Sequence, residues 1–370
     1  MSATTGRPGI GIVGAGNIAV LNVRGYLTDP RCDVVAVCDP VAGRAAQAAA
    51  EWGGARAYTA LEELLADPAV DAVEILTPTH LHKDHVLAAV SAGKHVSCQK
   101  PIANSVDDAQ TMTKAAEAAG VVFRISECFR HYPPLLRARQ LITDGAIGAP
   151  THVRIRTVVG QTNSAFQNGL QADGYTWRMN NQSPGGHLFD DMIHKYATAL
   201  WLPDQDIVSV QAVVRRRDFF FEPCDVIFEY EDPSLLGAME VSYAPKMWMR
   251  SSFYGADEFF EVQGDEGFLW VTRCTGELLD LPAIVLYQGN EHGQTTTSFP
   301  DVPSSWDLGF DGSASHFIDA ICDGVPAEMS GDEAAKALQL CFAVYQAGNT
   351  GEAVDPRTIS GTVVPDGWPR

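Results

Sequence analysis

Short apolar runs alternate with longer helical patterns from residue 9 to about residue 127. The runs are rich in β-branched residues and are bounded by Gly, Asp or Pro, so we predict that they are strands. These predicted strands are Gly9–Val13, Val34–Cys38, Ala72–Leu76, His95–Cys98 and Val121–Ile125. Alanine-rich helices such as residues 106–119 separate them. This alternation is typical of a doubly wound parallel sheet that is covered on both faces.

The pattern changes after Tyr132. An alternating strand at His152–Val158 precedes a helix over about 186–201, and residues 207–287 then hold several strands with only turns between them. Strands without intervening helices form hairpins, which predicts an open, mostly antiparallel sheet with helices on one face. We therefore expect two α/β domains, residues 1–130 and 131–370. The helices predicted near the C-terminus are expected to pack against a domain that the rest of the chain forms. The first domain is one candidate.

Composition limits the class of protein. The 370 residues are 46% apolar and 19% charged, as in a globular enzyme, and 26 basic against 46 acidic residues give a net charge of −20. Nucleic acids and anionic membranes require a basic face, so neither is an expected partner. The eight cysteines form no C-x-x-C pair or disulfide framework. The start of the chain lacks the pattern of a signal peptide, so we expect a cytoplasmic location.

A glycine fingerprint, Gly14-x-Gly16-x-x-Ala19, lies between the first strand and the next helix. Glycines at this spacing allow a tight turn and close approach of the backbone to a pyrophosphate at a helix N-terminus. Asp39 ends the second strand, where a carboxylate can bind the adenosine ribose hydroxyls and repel a 2′-phosphate. The motif therefore predicts NAD binding. Arg44 keeps NADP open, because an arginine at this place can accept the phosphate.

Two further segments follow strands of the predicted parallel sheet. Thr77 and His82 come after the strand at residues 72–76, where ligands of such sheets bind, and we expect both to contact the cofactor. The histidines near His82 have no recognised zinc spacing, so no metal is predicted. Lys100 precedes Pro101 at the end of the next strand. Taken alone, it is more often a surface lysine that closes a strand than a functional residue.

Asp190 and His194 lie four residues apart on a predicted helix and therefore share a face. Histidine suits proton abstraction because its ordinary pKa lies near neutral pH. A solvated acid and an ordinary helix histidine explain this motif alone about equally well. Asp191 and Lys195 are rotated by about one residue from this face of the helix, so they are weaker candidates for catalytic residues.

Taken together, these segments resemble the glucose-fructose oxidoreductase, inositol dehydrogenase and rhizopine-catabolism (Gfo/Idh/MocA) family of NAD(P)-dependent oxidoreductases. The similarity runs through nearly the whole chain, and the order and spacing of its motifs are more specific than any one of them. The matching segments are Gly14–Ala19, Thr77-Pro78 with His82, Lys100-Pro101, residues 130–133, Trp177-Arg178, Gly185–His194 and residues 261–267.

The resemblance implies a Rossmann domain followed by an α/β domain whose open sheet often forms the oligomer interface, so a dimer or tetramer is expected. It implies that Lys100, Asp190 and His194 are catalytic and that the Lys100-Pro101 bond is cis. With the motifs above, the expected cofactor contacts are Gly14, Gly16, Asn17, Ile18, Asp39, Arg44, Thr77, His82, Gln99 and Lys100. The expected substrate contacts are Lys100, Arg130, Trp177, Arg178, Asp190 and His194.

Members of this family mostly oxidise secondary alcohols of sugars, cyclitols and related compounds. The expected function is therefore an NAD-dependent sugar, glycoside or cyclitol dehydrogenase. Two alternatives stay open: tightly held NAD that enables elimination, epimerisation or glycoside cleavage, and a non-catalytic NAD-sensing regulator. The sequence departs from the family at Gln99, where Glu is frequent, and at Thr79, where Asn is common. Three positions after His194 the family often has an acidic residue, whereas this chain has Ala197. Lys195 directly follows His194.

Overall fold

The computed structural model describes residues 6–168, 184–215, 222–291 and 293–364. The chain divides into two compact units. The first consists of Met1–Cys128 and Gly309–Ala335, and the second consists of Phe129–Leu308 and Lys336–Arg370. Each unit combines helices with its own sheet, so the predicted α/β class is confirmed.

The first unit contains, among its described residues, a parallel sheet of six strands in the order β3-β2-β1-β4-β5-β6. The strands are β1 Gly9–Val13, β2 Asp33–Cys38, β3 Arg56–Tyr58, β4 Ala72–Ile75, β5 His95–Gln99 and β6 Phe123–Ser126. The helices between them are α1 Ala19–Thr28, α2 Ala42–Glu51, α3 Leu61–Ala66, α4 His82–Ser91 and α5 Val106–Ala119. The doubly wound sheet is thus confirmed. The three-residue edge strand β3 was not predicted.

Helix α5 shows how local sequence sets these elements. Ser105 caps its start, because its hydroxyl accepts a hydrogen bond from the Asp108 amide at 3.1 Å. Two aspartates lie in the first turn, where negative charge is favourable. Gly120 ends the helix with φ of 65°, a left-handed conformation that suits glycine. The predicted and observed bounds of this helix coincide.

A helix from late in the chain, α9 (Leu308–Cys322), supplies residues to the core of the first unit. Phe317 and Ile318 are buried there together with residues of the parallel sheet. Arg124 on β6 is fully buried, donates to the Ser313 hydroxyl at 2.7 Å, and lies 5.5 Å from the ring centroid of Phe317. The contacts of Arg124 therefore connect the sheet to this distant segment of the chain.

The second unit contains, within the described ranges, an eight-stranded sheet in the order β14-β13-β12-β11-β7-β10-β9-β8. Its strands are β7 Pro150–Gln161, β8 Ile207–Val214, β9 Cys224–Tyr230, β10 Leu236–Trp248, β11 Ala256–Gly264, β12 Gly267–Val271, β13 Ile284–Asn290 and β14 Gly293–Ser298. Strands β7 and β10 pair in parallel, and the other neighbours pair antiparallel. The predicted large, mostly antiparallel sheet is confirmed.

The helices of the second unit include α6 Pro133–Thr143, α7 His187–Asp190, α8 Ile193–Trp201 and most of α10 Gly331–Thr350. The single helix predicted over 186–201 is thus wrong in detail, since α7 and α8 are separate. The Met192 amide bonds to the His187 carbonyl five residues back, and the Lys195 amide bonds to the Met192 carbonyl three residues back. A turn closed by a five-residue hydrogen bond and a turn closed by a three-residue one thus interrupt the regular four-residue hydrogen bonds of an α-helix.

No helix within the described part of the chain is long and apolar enough to cross a membrane.

Candidate active site

The glycine loop after β1 is tied to the end of β2. Gly14 has φ of 96°, a conformation that a side chain would strain, and its amide donates to the Cys38 carbonyl at 2.8 Å. The Ala15 amide donates to Asp39 Oδ2 at 3.0 Å. A Cβ placed on Gly16 would meet no atom within 4 Å, so the loop leaves open space beside its backbone. The loop therefore leaves room for a bound group to approach the backbone at Gly16.

Asp39 and Arg44 lie together beyond the end of β2. Asp39 is buried, and its second oxygen accepts from the Val41 amide at 2.9 Å. Arg44 Nη1 lies 3.5 Å from Asp39 Oδ2, and the arginine side chain is 42% exposed. The acidic and basic groups expected to select between NAD and NADP are thus neighbours.

The segment after β4 is held by two histidines. His85 Nδ1 lies 3.1 Å from the Thr77 hydroxyl. His82 is fully buried, with Nε2 at 2.8 Å from the Thr77 carbonyl and Nδ1 at 2.9 Å from the Pro101 carbonyl. A residue with no exposed surface has no face to offer a ligand. The expected direct contact of His82 with the cofactor therefore needs correction, and its ring lies between two loops instead.

Lys100 follows β5, and its bond to Pro101 is cis, as the resemblance implies. The Gln99 side chain is buried, and its Oε1 accepts a hydrogen bond from the Lys100 amide at 2.9 Å. An amide oxygen and a carboxylate oxygen can both accept this bond. Gln99 thus makes a backbone contact that a carboxylate could also make, without the charge that a Glu would carry.

Acid is expected to destabilise the protein through His82. Burial lowers the pKa of this histidine to about 4, although the carbonyls of Thr77, Ile102 and Pro101 favour the charged ring. The unfolded chain binds a proton near pH 6.5 and the folded chain only near pH 4, so the free energy of unfolding should fall by about 3 kcal/mol between pH 7 and pH 4.

Urea unfolding at several pH values measures this loss. In His82→Asn the pH dependence should shrink by about that amount, because the titrating group is gone. Burial also lowers the pKa of His85, His95 and His316, so a smaller dependence should remain. An identical pH dependence in the variant and the parent protein would contradict the assignment to His82.

In the second unit, Gly185 and Gly186 precede α7. A Cβ on Gly185 would lie 2.3 Å from the Tyr345 hydroxyl, so only glycine fits against that tyrosine. Asp190 ends α7 and His194 belongs to α8, and both are buried. Gly185 therefore lets the segment before α7 pack closely against a side chain of α10.

The imidazole of His194 packs flat on Phe129, with ring centroids 4.6 Å apart and planes 9° from parallel. Stacking occupies a face of the imidazole and leaves its nitrogen edge for hydrogen bonds. Arg130 is buried with its guanidinium 6.0 Å from the centroid of the Trp201 ring. The other two expected substrate contacts, Trp177 and Arg178, lie outside the described residues.

A buried ionic cluster lies beside His194. Lys195 is fully buried and pairs with Asp191 at 2.7 Å and with Glu258 of β11 at 3.2 Å. Although burial by itself would raise it, the pKa of Asp191 is held well below its ordinary value by Lys195 and His187. The i, i+4 spacing of Asp191 and Lys195 was visible in the sequence. Glu258 carried no signal there, because only the fold brings it to Lys195.

Two family models match the chain. A model of an oxidoreductase family with an NAD-binding Rossmann fold matches residues 9–127. A model of the GFO/IDH/MocA C-terminal domain matches residues 135–270. Together they cover more than half of the chain.

Individual relatives match over most of their length. A 1,5-anhydro-D-fructose reductase of Ensifer adhaerens is 28% identical over 351 residues, which is 94% of this chain and 98% of that protein. A scyllo-inositol 2-dehydrogenase (NAD(+)) of Bacillus subtilis is 27% identical over 321 residues, 85% of this chain and 86% of that protein. The crystal structure of GenD2 from gentamicin A biosynthesis in complex with NAD has a TM-score of 0.76 at 25% identity, covering 96% of this chain and 97% of that one.

These matches confirm the predicted oxidoreductase activity and the NAD-binding domain. The chain belongs to the Gfo/Idh/MocA family of oxidoreductases, with an NAD-binding Rossmann fold at its start.

Proposed function

We propose that the protein oxidises a secondary hydroxyl of a sugar, glycoside or cyclitol and transfers the hydride to NAD. One observation carries this proposal. In the parallel sheet, β2, β1, β4 and β5 are consecutive neighbours, and their carboxyl ends lead to Asp39, the glycine loop, Thr77 and Lys100. Ligands of such sheets bind at this edge. A lysine placed there, next to a dinucleotide cradle, suits a reacting oxygen.

The position of each residue at these carboxyl ends indicates which part of the cofactor it would contact. The amides of Gly16, Asn17 and Ile18 would hold the pyrophosphate, with Asp39 at the ribose and Arg44 beside it. Gly14 would approach the pyrophosphate through its Cα, because its amide already donates to the Cys38 carbonyl. Thr77, Gln99 and Lys100 would lie toward the nicotinamide. NAD supplies the hydride acceptor when it is bound.

The proton-handling roles fall to three residues. His194 would take the proton of the substrate hydroxyl on its imidazole, as a general base. The Lys100 ammonium would donate a hydrogen bond to the same oxygen and stabilise its developing negative charge. Asp190 would orient His194 or accept from a neighbouring hydroxyl. Arg130, Trp177 and Arg178 keep the substrate-binding roles that the resemblance implies.

The substrate class rests on the relatives, whose names include a reductase of 1,5-anhydro-D-fructose and a dehydrogenase of scyllo-inositol. Purified protein should be incubated with NAD and a panel of sugars, glycosides and inositols while NADH absorbance is recorded. Net NADH formation with one class supports the proposal. Product formation without net NADH would instead support transient oxidation by tightly held NAD. NAD binding without turnover of any panel member would support a sensing role.

We also propose that the second unit carries the oligomer interface on the outward face of its sheet. Register places Val213, Ile227 and Leu236 on one face of β8, β9 and β10, and each is about half exposed. A row of exposed aliphatic side chains on a sheet is suited to contact with another copy. Light scattering of the purified protein should give the mass of a dimer or tetramer, and a monomeric mass would contradict the interface.

Replacing Asp39 by serine is expected to relax the preference for NAD. The change removes the charge that would repel a 2′-phosphate and leaves Arg44 nearby to attract one. Loss of a charged hydrogen bond costs about 1.5–3 kcal/mol, so NAD affinity should fall roughly tenfold to a hundredfold. Titration with NAD and with NADP measures both affinities. Adding Arg44→Ala should abolish any gain for NADP, and an unchanged ratio in Asp39→Ser would contradict the assignment.

A further inference from the structure

We propose that His82 is a positioning residue that sets the place of Lys100 relative to the Thr77 segment. This inference rests on the proposed function, in which Lys100 contacts the reacting oxygen. The Nδ1 edge of the His82 ring lies 2.9 Å from the Pro101 carbonyl and 3.2 Å from the Ile102 carbonyl. Its Nε2 lies 2.8 Å from the Thr77 carbonyl. One ring therefore spans the loop after β4 and the loop after β5.

The hydrogen-bond contacts described for the His82 ring are those with the two loops. His82 is fully buried, so it offers no surface to cofactor or substrate. It is also the first residue of α4, so the helix fixes the position of the backbone that carries the ring. Both ring nitrogens lie within hydrogen-bond distance of a backbone carbonyl, and in the neutral ring only the protonated nitrogen donates. The ring thus acts as a spacer of fixed width between the two segments.

Lys100 is held from both sides by this arrangement. Before it, the Gln99 side chain accepts the Lys100 amide hydrogen at 2.9 Å. After it, the Pro101 carbonyl meets His82. A lysine side chain is long and flexible, so the backbone at its base decides where the ammonium can reach. Displacement of a catalytic group by about 1 Å can cost on the order of 100-fold in rate.

Removal of the ring should therefore affect two steps. In His82→Ala the Lys100 loop loses its spacer, and kcat should fall roughly tenfold to a hundredfold. The Thr77 loop loses the same support, so the Kd of NAD, measured by fluorescence titration of the protein without substrate, should rise a few-fold. The KM of the sugar or cyclitol should change less than kcat, since no substrate contact is removed.

A double-mutant cycle with Lys100→Met tests the mechanism. If His82 acts through Lys100, His82→Ala should lower kcat strongly in the parent protein and hardly at all in the Lys100→Met background. Equal losses in both backgrounds, or no loss in the parent, would overturn the inference. Lys100→Met by itself tests the proposed function: if that variant keeps full turnover, the role of Lys100 is wrong whatever His82 does.

Two further variants separate positioning from general damage. His95 begins β5 at the opposite edge of the sheet, and its Nδ1 accepts the Val122 amide at 3.0 Å. His95→Ala removes a half-buried histidine with a backbone contact, and kcat should stay within about twofold of the parent value. If His82→Ala does not fold, His82→Gln keeps much of the volume and one donor. It should lower kcat in the same direction by a smaller factor, and an unchanged kcat in that folded variant would overturn the inference.

Discussion

Replacing His194 by alanine is expected to lower kcat by about 10²–10⁴-fold, the usual contribution of a positioned general base. The loss should be smallest at high pH, where hydroxide in solution can replace the missing base. Steady-state NADH formation with the best substrate of the panel measures it. The affinity for NAD should not change, because the glycine loop and Asp39 lie in the first unit and His194 lies in the second.

Lys100→Met should lower kcat by a comparable factor of about 10²–10³, because a donor aimed at a developing negative charge is removed. Lys94 is a matched control. It precedes β5 at the other edge of the sheet and donates to the Val70 carbonyl at 2.6 Å. Lys94→Met should keep kcat within about twofold. Full turnover in both His194→Ala and Lys100→Met would show that the assignment of roles is wrong.

Lys195→Met is expected to lower the free energy of unfolding by about 3–5 kcal/mol, the cost of leaving buried charge without its partner. The ammonium of Lys195 lies between Asp191 and Glu258, and Glu258 is only 2% exposed. Glu258 also accepts the Thr275 amide at 3.0 Å, a contact that holds its carboxylate in place. Without the lysine, this carboxylate would have to stay charged in a dry site or take up a proton.

Urea unfolding at neutral pH measures this effect. Lys336 is the matched control, because it pairs with Asp206 at 2.8 Å on the surface and its side chain is 52% exposed. Lys336→Met should cost under about 1 kcal/mol. Adding Glu258→Gln to Lys195→Met should recover part of the stability, since the unpaired charge is then removed. Equal losses from the two lysine variants would contradict the burial argument.

Where periodicity and local signals are strong, the sequence predicted the structure well. Helix α5 has a capping serine, a first-turn acid pair and a terminal glycine, and its predicted and observed bounds agree. Strand β3 was missed because its three residues, Arg56–Tyr58, are too few for a periodic pattern. The break between α7 and α8 was missed because both sides consist of residues that a continuous helix also accepts.

Contacts within the candidate site were predictable between successive elements of a known unit, and not where the fold joins distant ones. That the glycine loop and Asp39 lie side by side follows from spacing, because the second strand follows the first in a βαβ unit. The ring of His82 was expected at the cofactor, since sequence shows which segment a residue belongs to and not which way it points. Its contact with Pro101 depends on the neighbouring order of β4 and β5. Pairing of Lys195 with Glu258 likewise depends on the packing of α8 near β11.

Hydride transfer from a carbinol carbon to NAD can be followed with an isotope label. The best substrate of the panel should be prepared with deuterium on the carbon that bears the reacting hydroxyl, and the cofactor should be analysed by mass spectrometry after turnover. Released NADH should carry one deuterium for each molecule of ketone formed. NADH without deuterium, or product formation in which no reduced cofactor is released, would contradict it.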